Sequence, residues 1–249
     1  MKVEMIFEGF PGKLATGFML WSSVVYIETK GTKILFDTAG ACKRSDIHIA
    51  LQRYGVTAED IDILFLSHFH EDHVYNFDYF TKARILLHAV EAEWVESDPD
   101  AWPIPKYLYP ALVATGRLEL IDKDVEIAPG VSTLFTPGHT PGGMSLVLRD
   151  EDMPTTVVAG DAVKNLVELA TGQVAMSWNN DVSAESIAKI QKVAEIVIPG
   201  HDRILQLTPD KVIAKNSLHE TIIIPPGVVD ADKERRLELI VEQSWLPRS

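Results

Sequence analysis

The sequence predicts a mixed α/β fold, a mixed sheet with helices on its faces. Three observations lead there. Short apolar runs rich in Val, Ile, Tyr and Phe outnumber helical stretches, and the two alternate in both halves. No low-complexity stretch or linker divides the 249 residues, so 1–249 reads as a single domain. Apolar residues make up 46% and charged residues 24%, a globular balance that sets aside disorder, collagen-like repeats and coiled coil.

The elements follow in chain order. Residues 2–8, 23–29 and 33–37 are β-rich, and Lys30-Gly31 marks a hairpin between the second and third. Residues 45–54 read as a helix, capped by Ser45 or Asp46 and stopped at Gly55. IDILFL, residues 61–66, is a short apolar run between polar residues and fits a buried strand, and 84–87 repeats the pattern. Residues 91–96 look helical, after which Pro99, Pro103, Pro105 and Pro110 break the chain, leaving 98–110 as a lid, a pocket wall or a plain loop. Strands are expected at 117–121, 132–135, 144–149, 155–159 and 196–198. Residues 183–193 form an amphipathic helix with Ile187, Ile190 and Val193 or Ala194 on one face. Residues 231–243 read as a charged amphipathic helix, with Leu237, Leu239, Ile240 and Trp245 available for docking. IDILFLSHFH and AEIVIPGHD form a faint internal echo, each an apolar strand followed by a histidine loop.

Charge and cysteine content narrow the function. There are 36 acidic and 23 basic residues, a net charge of −13. Such a chain repels phosphate backbones at a distance, which argues against broad nucleic-acid binding. A small phosphodiester stays possible because a bound metal reverses the local sign. The one cysteine, Cys42, excludes a disulfide framework and a Cys-based zinc knuckle, reads as a small filler near a strand end, and suits a reducing cytoplasm. Neither a secretory leader nor a membrane span is signalled.

Chemistry concentrates in Ser67-His68-Phe69-His70-Glu71-Asp72-His73, at the end of an expected buried strand. Imidazole suits zinc and iron, and carboxylate completes the donor set. In extended chain, residues i and i+2 face the same way, so His68 and His70 can reach one ion. A turn at Glu71 lets Asp72 and His73 face a second. Three further donors follow apolar strands, each after a glycine: Gly138-His139, Gly160-Asp161 and Gly200-His201. Sites in open α/β sheets form where such strand ends converge.

This series, His-x-His-x-Asp-His followed by Gly-His, Gly-Asp and Gly-His, resembles the metallo-β-lactamase fold superfamily from the first hairpin to about residue 205. The resemblance implies a four-layer αββα sandwich with two divalent metal ions, zinc first and iron or manganese as alternatives. His68, His70 and His139 would bind one metal; Asp72, His73 and His201 the other; Asp161 would bridge them. Asp72 and Asp161 are the expected catalytic groups. Asp37 matches the superfamily's aspartate near the third strand and would orient a ligand histidine through its other ring nitrogen. A pair of metals is a hydrolytic device, holding a water that deprotonates near neutral pH to attack a carbonyl carbon or phosphorus. No G-x-S-x-G elbow, P-loop or dinucleotide fingerprint offers a rival chemistry. His48, His88 and His219 read as packing or surface residues, and Glu71 as solvent-facing.

Departures from known branches narrow the reading. Zinc β-lactamases lack the histidine that stands here as His73 and use a cysteine at the second metal. Flavodiiron reductases have a glutamate where this chain has His70. The 40 residues from Asp161 to His201 leave no room for the inserted domain of large RNA-processing members. Quorum-type lactonases share all seven ligands, but their assisting tyrosine has no counterpart in AVKNLVELATGQVAMSWNN after Asp161. The expectation is a cytoplasmic metal-dependent hydrolase of a small ester, lactone or thioester, with a phosphodiesterase or ribonuclease, or a non-catalytic metal-binding module, as alternatives. Its partner would be a small-molecule substrate, with no membrane and with homo-oligomerisation left open. The loop at 11–21, PGKLATGFMLW, would overhang the site and grip an acyl or aromatic group.

Overall fold

A computed structural model describes residues 1–97, 104–228 and 230–248. The chain opens with β1 (Lys2–Phe7), a small hairpin of β2 (Lys13–Leu14) and β3 (Gly17–Phe18), then β4 (Val24–Thr29) and β5 (Thr32–Phe36). Lys30 and Gly31 form the β4–β5 turn with φ of 48° and 88°, the left-handed pair that a two-residue hairpin needs. Helix α1 (Ile47–Gln52) is shorter than the 45–54 expected; a 3₁₀ turn precedes it, and Gly55 at φ 72° lies beyond its end. Next come β6 (Ile63–Phe65), α2 (Glu71–Val74), β7 (Arg84–His88), α3 (Ala89–Ser97), α4 (Leu108–Ala114) and β8 (Leu118–Ile121).

The second half begins with β9 (Glu126–Ala128), β10 (Val131–Phe135), β11 (Met144–Asp150) and β12 (Met153–Gly160). Helices α5 (Leu166–Thr171) and α6 (Asn180–Gln191) lead to β13 (Ile196–Pro199), β14 (Leu205–Leu207) and β15 (Lys211–Ala214). A ribbon of β16 (Leu218–Ile224) and β17 (Arg235–Val241) precedes β18 (Trp245–Pro247).

Two sheets dominate: a six-stranded one in the order β1-β4-β5-β6-β7-β8 and an eight-stranded one in the order β18-β15-β14-β13-β12-β11-β10-β9. Alternation along the strands sorts the apolar residues into three buried layers. Val25, Ile27, Phe36 and Phe65 of the first sheet meet Leu146, Leu148, Val158 and Ile198 of the second between the sheets. The outer face of the first sheet, with Tyr26, Leu35 and Leu64, packs on α1, α3 and α4 through Ile47, Leu51, Val95 and Leu112. That of the second, with Val157 and Val197, packs on α5 and α6 through Leu169, Ile187 and Ile190. The layers are therefore αββα. Strand pairs β5–β6 and β12–β13 run parallel, and the echoed histidine loops follow the second strand of each pair. The first strand of each pair ends beside an aspartate, Asp37 or Asp161.

Several expectations are corrected. Residues 231–243 contain no helix: 235–241 pair antiparallel with 218–224, because a cross-strand partner outcompetes the local i, i+3 spacing of Leu237 and Ile240. Pro110 does not break the chain but sits in the first turn of α4, where a backbone N–H has no intrahelical acceptor to lose. Cys42 is exposed rather than filling a gap. The elements expected from the sequence do not include β2, β3, β9, β14, β15, β16 or β18, nor helices α2, α4 and α5. Of the proline-rich 98–110, residues 98–103 lie outside the described residues.

Candidate metal centre

The expected donors sit on loops that leave the strands at one end of the sandwich. β6 runs into Ser67–His70 and the short α2, whose first turn holds Asp72 and His73. His139 follows β10, Asp161 follows β12 and His201 follows β13. The glycines before these donors have steric causes. Gly160 takes φ 52°, and a Cβ there would stand 2.9 Å from the Ser67 side chain. A Cβ on Gly200 would run into Asp161 Oδ1 and stand 3.1 Å from its Cγ.

All seven donors meet. His68, His70 and His139 place one ligand atom each within 4.8 Å of one another, as do Asp72, His73 and His201, and as do His68, His73 and Asp161. Asp161 spans the first two groups. Its Oδ2 is 3.2 Å from His139 Nε2, while its Oδ1 is 3.3 Å from both His73 Nε2 and His201 Nε2. His70 Nδ1 and His139 Nε2 stand 3.0 Å apart, and His201 Nε2 lies 3.3 Å from Asp72 Oδ2.

The donors' far sides are tied down. The Asp37 carboxylate accepts from Ser67 N at 2.7 Å, from Ser67 Oγ at 2.8 Å and from His73 Nδ1 at 2.7 Å. With its hydroxyl given to Asp37, Ser67 Oγ accepts from His68 Nδ1 at 2.9 Å. One buried aspartate thus fixes two rings, one directly and one through Ser67, leaving both Nε2 atoms facing inward. Asp37 itself adopts φ 58°, an uncommon conformation for a residue other than glycine. His201 Nδ1 donates to the Trp21 carbonyl at 3.1 Å. Glu91 of α3 ties two ligand loops together, accepting from Phe69 N at 2.8 Å and Gly142 N at 3.0 Å. Burial pushes its pKa up to about 7, against the pull of these donors. Ser67, Glu91 and the Trp21 carbonyl carry no sequence signal of their own; only the strand-end setting of Ser67 pointed toward the site.

The electrostatics sort the donors. Burial, reinforced by neighbouring rings, holds His68 and His70 well below the usual imidazole range. Burial also takes His139 down to about 3 despite Asp161, with Lys164 adding to the depression. For His73, burial alone would lower the pKa, but Asp161, Asp72 and Asp37 together raise it well above the usual range. His201 is raised for the same kind of reason, Asp161 outweighing burial. Burial would raise Asp161, yet His201, His73 and His139 hold its carboxyl well below the usual range.

The donor set fits divalent metal ions. His68 Nε2, His73 Nε2, Asp72 Oδ2 and Asp161 Oδ1 are buried without a well-aligned hydrogen bond, the imidazoles and carboxylates meeting only in N···O approaches of 3.3–3.8 Å, a costly arrangement unless something binds between them. Five imidazoles with two carboxylates is a zinc-type donor set. The remaining candidates lie apart: His48 is exposed, His219 pairs with Glu238 at 2.6 Å on the surface, and Glu71 is exposed. His88 is buried in packing, stacked on Phe135 at 4.3 Å.

Two tryptophans lie close to the donors, one through its ring and one through its backbone. The Trp94 ring is 6.2 Å from that of His70, and Trp178, 57% exposed, donates its backbone N–H to the His139 carbonyl at 3.0 Å. The 11–21 loop carries exposed Leu14 and Phe18 on β2 and β3. At its end Trp21 pairs with Phe10, the rings 4.9 Å apart.

Residues 21–201 match the sequence profile of the metallo-beta-lactamase superfamily. The chain is 30% identical over 200 residues to metallo-beta-lactamase domain-containing protein 1 of Xenopus laevis, covering 80% of this chain and 78% of that one. It is 28% identical over 156 residues to an N-acyl homoserine lactonase of a Bacillus species, covering 61% of this chain and 60% of the lactonase's length. In structure it resembles AidC, a dizinc quorum-quenching lactonase, with a TM-score of 0.60 at 20% identity over 76% of each chain; at that identity the likeness is one of fold.

Proposed function

The chain belongs to the metallo-beta-lactamase superfamily and is a metal-dependent hydrolase, and from that premise we propose that it cleaves a small carbonyl substrate, an ester, lactone or thioester, at a pair of zinc ions. The observation that carries this reading is the set of orphaned inward-facing atoms on either side of Asp161. His68, His70 and His139 would hold one ion, Asp72, His73 and His201 the other, with one Asp161 oxygen toward each. Iron or manganese are the alternatives to zinc. The whole chain is read as one domain in a reducing cytoplasm; among the described residues no helix is long and apolar enough to cross a membrane.

Two such ions, when bound, polarise the substrate oxygen and bring the pKa of a water to about 7. The protein's own residues supply the rest. Asp37 and Ser67 hold the His73 and His68 rings with Nδ1 as the donor, so that it is Nε2 that would face a metal, His73 giving up its extra proton on binding. Glu91 keeps the loops of His70 and His139 in register. The side chain of Asp72 is the more exposed of the two donor carboxylates, 16% against 5% for Asp161, which would make it the group to take a proton from the attacking water and hand it on to the leaving oxygen. Trp94, its ring 6.2 Å from that of His70, gives the rim an apolar surface suited to an acyl or aromatic group, and a net charge of −13 disfavours a polyanion.

A panel of γ-lactones, p-nitrophenyl esters, acyl thioesters and bis(p-nitrophenyl) phosphate, run with and without chelator, tests this. Carbonyl turnover that chelator abolishes and zinc restores supports it. Turnover of the phosphodiester alone, or carbonyl hydrolysis that survives metal removal, overturns it.

A further inference from the structure

Beyond the stretch shared with the superfamily, β16 and β17 form a two-stranded sheet that, among the described residues, pairs with no other strand. Their register places Leu218 opposite Val241, Glu220 opposite Leu239, Ile222 opposite Leu237 and Ile224 opposite Arg235 on one face. That face carries six aliphatic side chains and only two charges. The other face is the more polar one: it carries His219, Thr221, Arg236 and Glu238, with Glu238 bonded to His219 at 2.6 Å and to Thr221 at 2.9 Å, and only two aliphatic residues, the exposed Ile223 and Ile240. An isolated two-stranded ribbon is marginal in water, and here its aliphatic face is open along β17, with Leu237 52% exposed and Val241 49%, while Leu218 at its base is buried in the core of the body and Ile222 and Ile224 are half-buried.

The two charges on the apolar face say what covers it. Glu220 lies two residues before Ile222, and Arg235 lies two residues beyond Ile222 along the ribbon axis, since it pairs with Ile224. A two-fold axis through the Ile222–Leu237 pair, across the strands, exchanges these positions. Two ribbons packed face to face about that axis, about 10 Å apart, stack aliphatic side chains at the centre and set Glu220 of each copy diagonally across from Arg235 of the other. A face that presents one acid and one base at equal distances from its centre is complementary to itself. We propose that the β16–β17 ribbon is a dimerisation arm whose occupant is the ribbon of a second copy of this chain.

The base of the arm is anchored to the body. Buried Arg203, two residues after His201, donates to the Val241 carbonyl at 3.2 Å and the Glu242 carbonyl at 2.7 Å. The arm is therefore held rigidly enough at its base to present a defined face.

Sedimentation over two decades of protein concentration tests the proposal. Wild type is expected to show a dimer dissociating on dilution. Leu237→Glu sets two carboxylates opposite each other at the two-fold axis and should leave only monomer. Because Leu237 is half-exposed, monomeric folding should persist, and far-UV circular dichroism and metal content check that. Glu220→Arg and Arg235→Glu should each weaken the dimer roughly tenfold, and the double variant should regain wild-type affinity. A wild-type chain that stays monomeric, or binds lipid vesicles through the ribbon instead, overturns the proposal. So does a dimer insensitive to Leu237→Glu, or one that the double charge swap fails to restore.

Discussion

Replacing Gly200 by alanine adds one methyl group at a crowded point of the candidate metal centre. Gly200 lies outside the left-handed φ range, so alanine meets no backbone penalty there and the effect isolates the contact. The new Cβ would overlap Asp161 Oδ1, lie 3.1 Å from Asp161 Cγ and 3.1 Å from the Gly160 carbonyl carbon, where ordinary contact begins at 3.4 Å. The neighbours on the Gly160 side are backbone, so the carboxylate must yield, by roughly 1 Å or more, against a ligand tolerance of about 0.2 Å. Overpacking of this kind costs about 1–3 kcal/mol, which leaves the protein folded. A displacement of about 1 Å at a catalytic centre costs about 100-fold in rate. The assay is metal content by elemental analysis, kcat/KM on the carbonyl substrate found in the panel, and a urea melt. Gly17→Ala, with nothing within 4 Å of its added Cβ, is the control. Gly200→Ala with two metals and wild-type kcat/KM would refute the placement of Asp161 between them.

Other perturbations probe the remaining parts. His70→Ala should lose metal and turnover together, whereas Asp161→Asn should keep the fold, read by circular dichroism, while uncoupling the pair of ions. Asp37→Asn turns an acceptor into a donor facing His73 Nδ1, favours the tautomer with its proton on Nε2, and should weaken metal binding about 10- to 100-fold by competition with a chromophoric chelator. Glu91→Ala frees the Phe69 and Gly142 N–H groups and should lower affinity over the same range without altering the donors. Metal binding should also release protons in a defined pattern. His73 and His201, held above the usual imidazole pKa in the metal-free protein, must give up theirs, while His68, His70 and His139 have none to give near neutral pH. Calorimetry near pH 6.5 in buffers of different ionisation heat should report proton release from these two rings in addition to that from a bound water, declining as the pH rises past the raised pKa values of the rings, with affinity climbing over the same interval. Release of five protons would contradict this sorting.

The site was more legible than the periphery, for physical reasons. Histidines two apart at the end of IDILFL carry their own geometry, because strand alternation alone puts His68 and His70 on one side. Glycines before His139, Asp161 and His201 signalled tight approach, and the steric contacts at Gly160 and Gly200 bear that out. What anchors the donors was less visible. Glu91 reaches its partners from a helix 22 residues downstream of Phe69, and the Trp21 carbonyl meets His201 across 180 residues. Residues 231–243 misled most, because Leu237, Ile240 and Val241 satisfy helical spacing while Leu237, Leu239 and Val241 satisfy strand spacing. The tie is broken only by 218–224, which pairs with them. Helix α5 was hidden because its cap, Asn165 accepting from Glu168 N at 3.1 Å, follows directly on the Asp161 loop without a break.

Elemental analysis of the purified chain, paired with carbonyl-substrate turnover before and after chelation, bears most directly on the metal centre. Two divalent ions per chain are predicted, lost together with activity and restored together by zinc. Hydrolysis by a metal-free chain, or a chain that never takes up more than one ion, would contradict it.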